Sequence, residues 1–176
     1  CRVVDPDDPT TDVAQGERGE LIVRGPQVFS GYYGRPEETE EVFVDGWFRT
    51  GDIVTIDNAG FVRIVDRIKE LIITGGFNVA PTEVEGVLRQ HPAVADVAVV
   101  GMPSEHSGEE VVAAIVLESS VEDIDETAIR EFARSILTPY KVPRRIFVVD
   151  ELPKSLIGKV LRRQVRAKLL ELSGEE

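Results

Sequence analysis

The spacing of apolar positions changes partway along the chain. Up to about residue 66 it follows a two-residue period in short bursts. "GELIVRG" at 19–25 reads as one strand, "GWFRTGDIVTID" at 46–57 contains another, and "GFVRIVDR" at 60–67 is a third. The "DNAG" turn at 57–60 and neighbouring glycines separate them, which predicts antiparallel hairpins in a small sheet or barrel. A short helix is expected in "RPEETEEVF", with Pro36 in its first turn and acidic residues near the positive end of its dipole.

Beyond Asp66 strands alternate with helices. "PTEVEGVLRQHP" carries Val84, Val87 and Leu88 at helical spacing and stops at His91-Pro92. "VADVAVVGMP" and "EEVVAAIVLE" are apolar enough to be core strands, and "RIFVVDELP" is another. "DETAIREFARSIL" puts Ile129, Phe132, Ala133 and Ile136 on one face under an Asp125 cap. A last helix is predicted from about Lys159, with Leu161, Val165, Leu169 and Leu172 as its stripe. The expected fold is therefore α+β. A small β-rich part over 1–65, a barrel remnant, precedes a compact α+β domain over 66–176.

Composition narrows the function. The longest apolar run, Val111 to Leu117, is far short of the roughly 20 residues that span a bilayer. Cys1 is the only cysteine, which excludes a disulfide framework and fits a reducing cytosol. The chain starts with neither Met nor a signal pattern, so it is expected to be part of a longer protein. A net charge of −12 argues against nucleic acid as a partner. The charge is uneven, however. Between Thr138 and Leu170 nine cations (Lys141, Arg144, Arg145, Lys154, Lys159, Arg162, Arg163, Arg166 and Lys168) face only Asp150 and Glu151. That cluster fits either a local anion or a solvated basic helix.

Three stretches invite a chemical reading. In "GWFRTGDI", Asp52 follows a Thr-Gly pair that is expected to aim its carboxylate outward from a loop tip, either as a turn former or as an acceptor for two vicinal ribose hydroxyls. In "DRIKELIITGGFNVAPTEVE", Asp66 and Arg67 stand where two domains would join. Arg67 fits phosphate or ribose oxygens as well as a local salt bridge to Glu70 or Asp66. Gly75-Gly76 either supplies positive φ to a tight turn or leaves bare backbone for a narrow ligand. In "PKSLIGKVLRR", Gly158 is expected to bend the chain and project Lys159 from the first turn of a helix, where the dipole does not favour a cation. Lys159 is then either solvated or waiting for an anion. His91 and His106 lack partners at metal-ligand spacing, and no P-loop, G-x-S-x-G or G-x-G-x-x-G is present.

In this order, "WFRTGD", "DRIKELIITGGFNVAPTEVE", "YKVP" at 140–143 and "PKSLIGKVLRR" resemble the acyl-adenylate-forming superfamily, and most of all its fatty acyl-CoA ligases, from about Gly19 to Leu170. The resemblance implies an AMP-forming acid–thiol ligase that uses ATP, CoA and Mg and activates a fatty acid as acyl-AMP before making acyl-CoA. It implies that residues 1–65 end the large AMP-binding domain and that 66–176 form its mobile lid. Lys159 would be the catalytic lysine of adenylation, Asp52 the ribose ligand, Arg67 a nucleotide contact, Asp66 the hinge, and Gly75 and Gly76 the lining of the pantetheine channel. The phosphate loop, a second ATP-binding motif and the acyl pocket of the family would lie upstream of Gly19, so the fragment alone is expected to be inactive. The resemblance also admits an adenylation domain for another carboxylic or amino acid and a non-catalytic adaptor. It implies a cytoplasmic protein, peripheral to membranes at most, and leaves the oligomeric state open.

Overall fold

A computed structural model describes residues 1–121 and 124–174; the expected lid range 66–176 thus includes positions that lie outside the described residues. The chain divides into two compact units, Cys1–Lys69 and Glu70–Glu176.

The first unit is a five-stranded antiparallel sheet. Strands β1 (Arg2–Val4), β2 (Gly19–Val23) and β4 (Trp47–Ile56) lie side by side. Beyond β4, the short β3 (Phe43–Val44) and β5 (Val62–Arg67) pair with opposite ends of the same strand. Helix α1 (Pro36–Val42) has proline at its start and acids in its first turn. The hairpin between β4 and β5 turns at Asp57, whose carboxylate accepts the N–H groups of Ala59 and Phe61. Val4, Ile22 and Val54 are buried here, whereas Phe61, Val62 and Ile64 stand exposed.

The second unit is a three-layer α/β/α arrangement, and the reason is periodicity. Strands β8 (Val94–Ser104) and β9 (Gly108–Leu117) pair in antiparallel register over nearly their full length. Alternate side chains of a strand leave opposite faces. Val97, Val99, Val111, Ala113 and Ile115 pack under α2 (Pro81–Leu88) and α3 (Glu126–Arg134), with Val84, Leu88, Ile129 and Ala133. Ala98, Val100, Met102, Val112 and Ala114 pack with Val165 and Leu169 of α4 (Arg162–Ser173). Burial on both faces is why these strands read as continuous apolar runs rather than alternating ones. The sheet is completed by β6 (Ile72–Thr74) and β7 (Phe77–Val79), and by β10 (Arg145–Val148), which runs parallel to β9. The Asp125 cap forms, its side chain accepting the Thr127 N–H at 2.8 Å. Helix α4 stops at Gly174 in the left-handed region, φ 70°.

Candidate active site

Asp52 is not at a loop tip. It lies within β4, opposite Arg67 of β5, with its side chain only 18% exposed. Gly51 does take a positive φ of 70°, yet the chain does not turn back. The cause is Glu20, buried on β2, whose Oε1 accepts the Gly51 N–H at 3.1 Å while Arg49 grips Oε2 through Nε at 2.9 Å and Nη2 at 2.6 Å. The Thr50 hydroxyl donates to the Leu21 carbonyl at 2.7 Å and accepts the Asp52 N–H at 3.1 Å. The "RTGD" stretch is thereby held as an irregularity within a continuous strand, the kind of feature that re-aims a side chain. Glu20 and Arg49 hold the strand beside Asp52, and sequence reasoning missed them; the acid inside the apolar strand "GELIV" was the signal.

Arg67 pairs with Asp52, its Nε 3.0 Å from Oδ1, a partner across the ladder that local spacing does not suggest. The approach is an ion pair without hydrogen-bond geometry, and the shielded Oδ1 has no hydrogen-bond donor among the described residues. Buried acceptors are normally satisfied, and here the charge of the Arg67 guanidinium compensates this oxygen. Asp66 faces Ile53 in the same ladder, is 5% exposed, and its carboxylate accepts the Arg67 N–H at 2.8 Å. Beyond Asp66, β5 ends at Arg67 and a turn of 3₁₀-helix follows at Ile68–Glu70.

Gly75 and Gly76 form the two-residue turn between β6 and β7 with φ of 56° and 82°. Positive φ at both positions defines the hairpin turn matched to strand twist, which explains glycine at each. A Cβ at either would meet open space, so the turn presents bare, accessible backbone as well.

Lys159 lies before the helix, not in its first turn, because α4 begins at Arg162. The lysine sits on a small hairpin closed by a bridge between Lys154 and Val160. Ser155 N–H donates to the Lys159 carbonyl at 2.8 Å, and Lys159 N–H to the Ser155 hydroxyl at 3.1 Å. Gly158, φ 77°, makes the bend. Lys159 therefore lies ahead of the first helical turn, where the dipole would disfavour it. Its side chain is exposed and makes no ion pair among the described residues, whereas Lys141, Arg145, Lys154, Arg162 and Arg166 are matched by acids elsewhere in this unit. Leu156 and Ile157 beside it are fully or nearly fully exposed.

The hairpin is tethered at its base by Lys154, whose Nζ is 2.7 Å from Asp96 Oδ2 on β8. Burial of Asp96 would raise its pKa, but the Lys154 hydrogen bond, the Val97 N–H and the charges of Lys154 and Arg89 outweigh it and hold the carboxyl below its ordinary value. A lowered folded pKa contributes stability that is complete above the unfolded pKa of about 3.9 and is lost as pH falls through the folded value. The melting-temperature difference between wild type and Asp96→Asn should accordingly be constant above about pH 5 and close as pH drops below about 4; a difference that widens on acidification would contradict the pairing.

The Nδ1 of His91 accepts the Ala93 N–H at 3.2 Å, and its ring meets Phe132 edge-on. Among the described residues no three His, Cys, Asp or Glu side chains converge on a metal position, and no helix is long and apolar enough to cross a membrane.

Residues 83–159 match the AMP-binding enzyme C-terminal domain, and the chain carries that domain. It is 49% identical to a long-chain-fatty-acid–CoA ligase of Escherichia coli O157:H7 over 94% of its own length and 29% of the relative's. It is 46% identical to the medium/long-chain-fatty-acid–CoA ligase FadD8 of Mycobacterium tuberculosis, over 99% of this chain and 32% of that one. The structure of ATP-bound MatB from Rhodopseudomonas palustris superposes with a TM-score of 0.88 at 38% identity, over 97% of this chain and 34% of that one. The chain thus spans about a third of the length of the proteins it matches.

Proposed function

We propose that this chain is the adenylate-handling C-terminal part of a fatty acyl-CoA ligase, in which residues of both units serve ATP-dependent acyl-AMP formation and then transfer to CoA. The observation that carries the reading is Lys159: an exposed ammonium with no ion pair among the described residues, on a hairpin tethered through Lys154 to Asp96. Attack of a carboxylate on the α-phosphate of ATP forces two anions together. A preorganised ammonium touching both stabilises the charge that accumulates there.

Asp52 holds the ribose hydroxyls, and Arg67, paired with it across the β4–β5 ladder, contacts the nucleotide. The second step needs the thiol of CoA to reach the mixed anhydride. Gly75-Gly76 offers a side-chain-free turn along which the pantetheine arm lies once the second unit has swung about the segment after Asp66. Fatty-acid specificity follows the two ligases named above. Mg belongs with the ATP phosphates; the described residues supply no cluster for it, and no step here runs through it.

The test is an assay of the full-length protein with ATP and a panel of fatty, aromatic and amino acids, with and without CoA. AMP release and thioester formation selective for fatty acids are expected. Activation of an amino acid without thioester transfer to CoA, or no adenylation of any carboxylate, would contradict the reading.

A further inference from the structure

Lys159 can work only if its hairpin is held accurately, and a part-buried ion network begins three residues along the chain from it. Arg162, three residues on, opens α4. A cation in the first turn faces the positive end of the helix dipole and is unfavourable there on local grounds. Its surroundings compensate. Nη2 donates to Glu85 Oε1 and Oε2 at 3.0 and 2.9 Å, Nε reaches Oε1 at 3.2 Å, and Nη1 pairs closely with Glu70. Glu85, on α2, is 5% exposed, and its Oε1 also accepts the Val99 N–H of β8 at 2.9 Å.

Burying an ion pair costs much of what its attraction returns, so such a network is weak evidence for stability and better explained by the geometry it specifies. Here it joins four elements. Glu70 is the first residue of the second unit, Glu85 ties α2 to β8, and Arg162 stands at the exit of the Lys159 hairpin.

We propose that Arg162 is a positioning residue for adenylation. By locking the start of α4 to Glu85 and Glu70, it makes the Lys159 hairpin one rigid piece with the first residue beyond the unit boundary, so that any rotation at that boundary carries the ammonium to a defined place. This rests on the reading of Lys159 as the adenylation lysine.

The experiment uses the full-length enzyme and compares Arg162→Lys, Glu70→Gln and Lys159→Ala in both half-reactions: acyl-AMP formation, and thioester formation from supplied acyl-AMP. Displacing a reacting group by about 1 Å costs up to about 10²-fold. Arg162→Lys, which keeps the charge but loses the fork, should lower kcat for acyl-AMP formation by about 10- to 100-fold with KM for ATP little changed. Glu70→Gln, at the more exposed end of the network, should give a smaller loss of the same kind. Neither should slow thioester formation by more than about twofold, since the hairpin is not used there.

If Arg162→Lys and Glu70→Gln lower both half-reactions equally, or neither, while Lys159→Ala selectively abolishes adenylation, the positioning role is overturned and the lysine assignment stands. If Lys159→Ala leaves acyl-AMP formation intact, the underlying reading itself fails.

Discussion

Replacing Lys159 with alanine in the intact enzyme should slow acyl-AMP formation by about 10²- to 10³-fold and leave thioester formation from supplied acyl-AMP close to wild type. The size follows from losing one preorganised donor at developing charge, a loss of about 3 to 4 kcal/mol. The selectivity follows from where the group sits. Lys159 is exposed, and no carboxylate among the described residues holds it, so its removal leaves no buried group stranded and should not unfold the unit. Pyrophosphate exchange reports the first half-reaction and thioester appearance the second. Equal loss in both would reassign the lysine to a structural role.

The opposite pattern is expected at the diglycine turn. Gly76→Trp should cut thioester formation by about 10²-fold or more while adenylation stays within a few-fold of wild type. Two effects must be separated. A tryptophan at φ 82° strains the turn by about 1 to 2 kcal/mol, and it also fills the space in front of the backbone. Gly76→Asn separates them, because asparagine tolerates the left-handed region with little bulk. Near-normal thioester formation in Gly76→Asn together with its loss in Gly76→Trp would establish occlusion. If both variants failed alike, turn geometry rather than a ligand path would explain the glycines.

Much of the fold was legible because local signals and tertiary environment agree. The two-faced apolar runs of β8 and β9, the Asp125 cap and the Pro36 helix start all form as expected. The α+β class followed from them. The buried stripes are shorter than the apolar spacing predicts: Ile136 is 52% exposed because α3 ends at Arg134, and Leu172 is 57% exposed in the last turn of α4.

The candidate residues stand out in the sequence by type, but their settings do not. A Thr-Gly pair ordinarily makes a turn, and only Glu20, about thirty positions away, reveals why Asp52 stays in a strand. The last helix starts later than apolarity predicts, because Val160 and Leu161 fit a helical pattern without joining it. Val160 instead closes the hairpin bridge and Leu161 serves as N-cap without a side-chain bond. The ties of Arg162 to Glu85 and Glu70 span 77 and 92 positions, beyond the reach of any local pattern.

The central claim is that one ammonium is brought to the reacting anions in the first half-reaction and withdrawn in the second. Its most direct measurement is the rate at which an amine-selective acylating reagent labels Lys159 in the full-length enzyme, followed by mass spectrometry. The label should be slowed strongly by ATP with a non-reactive carboxylate analogue, and restored when a stable acyl-AMP mimic is bound together with CoA. A labelling rate indifferent to which ligands are present would contradict the account.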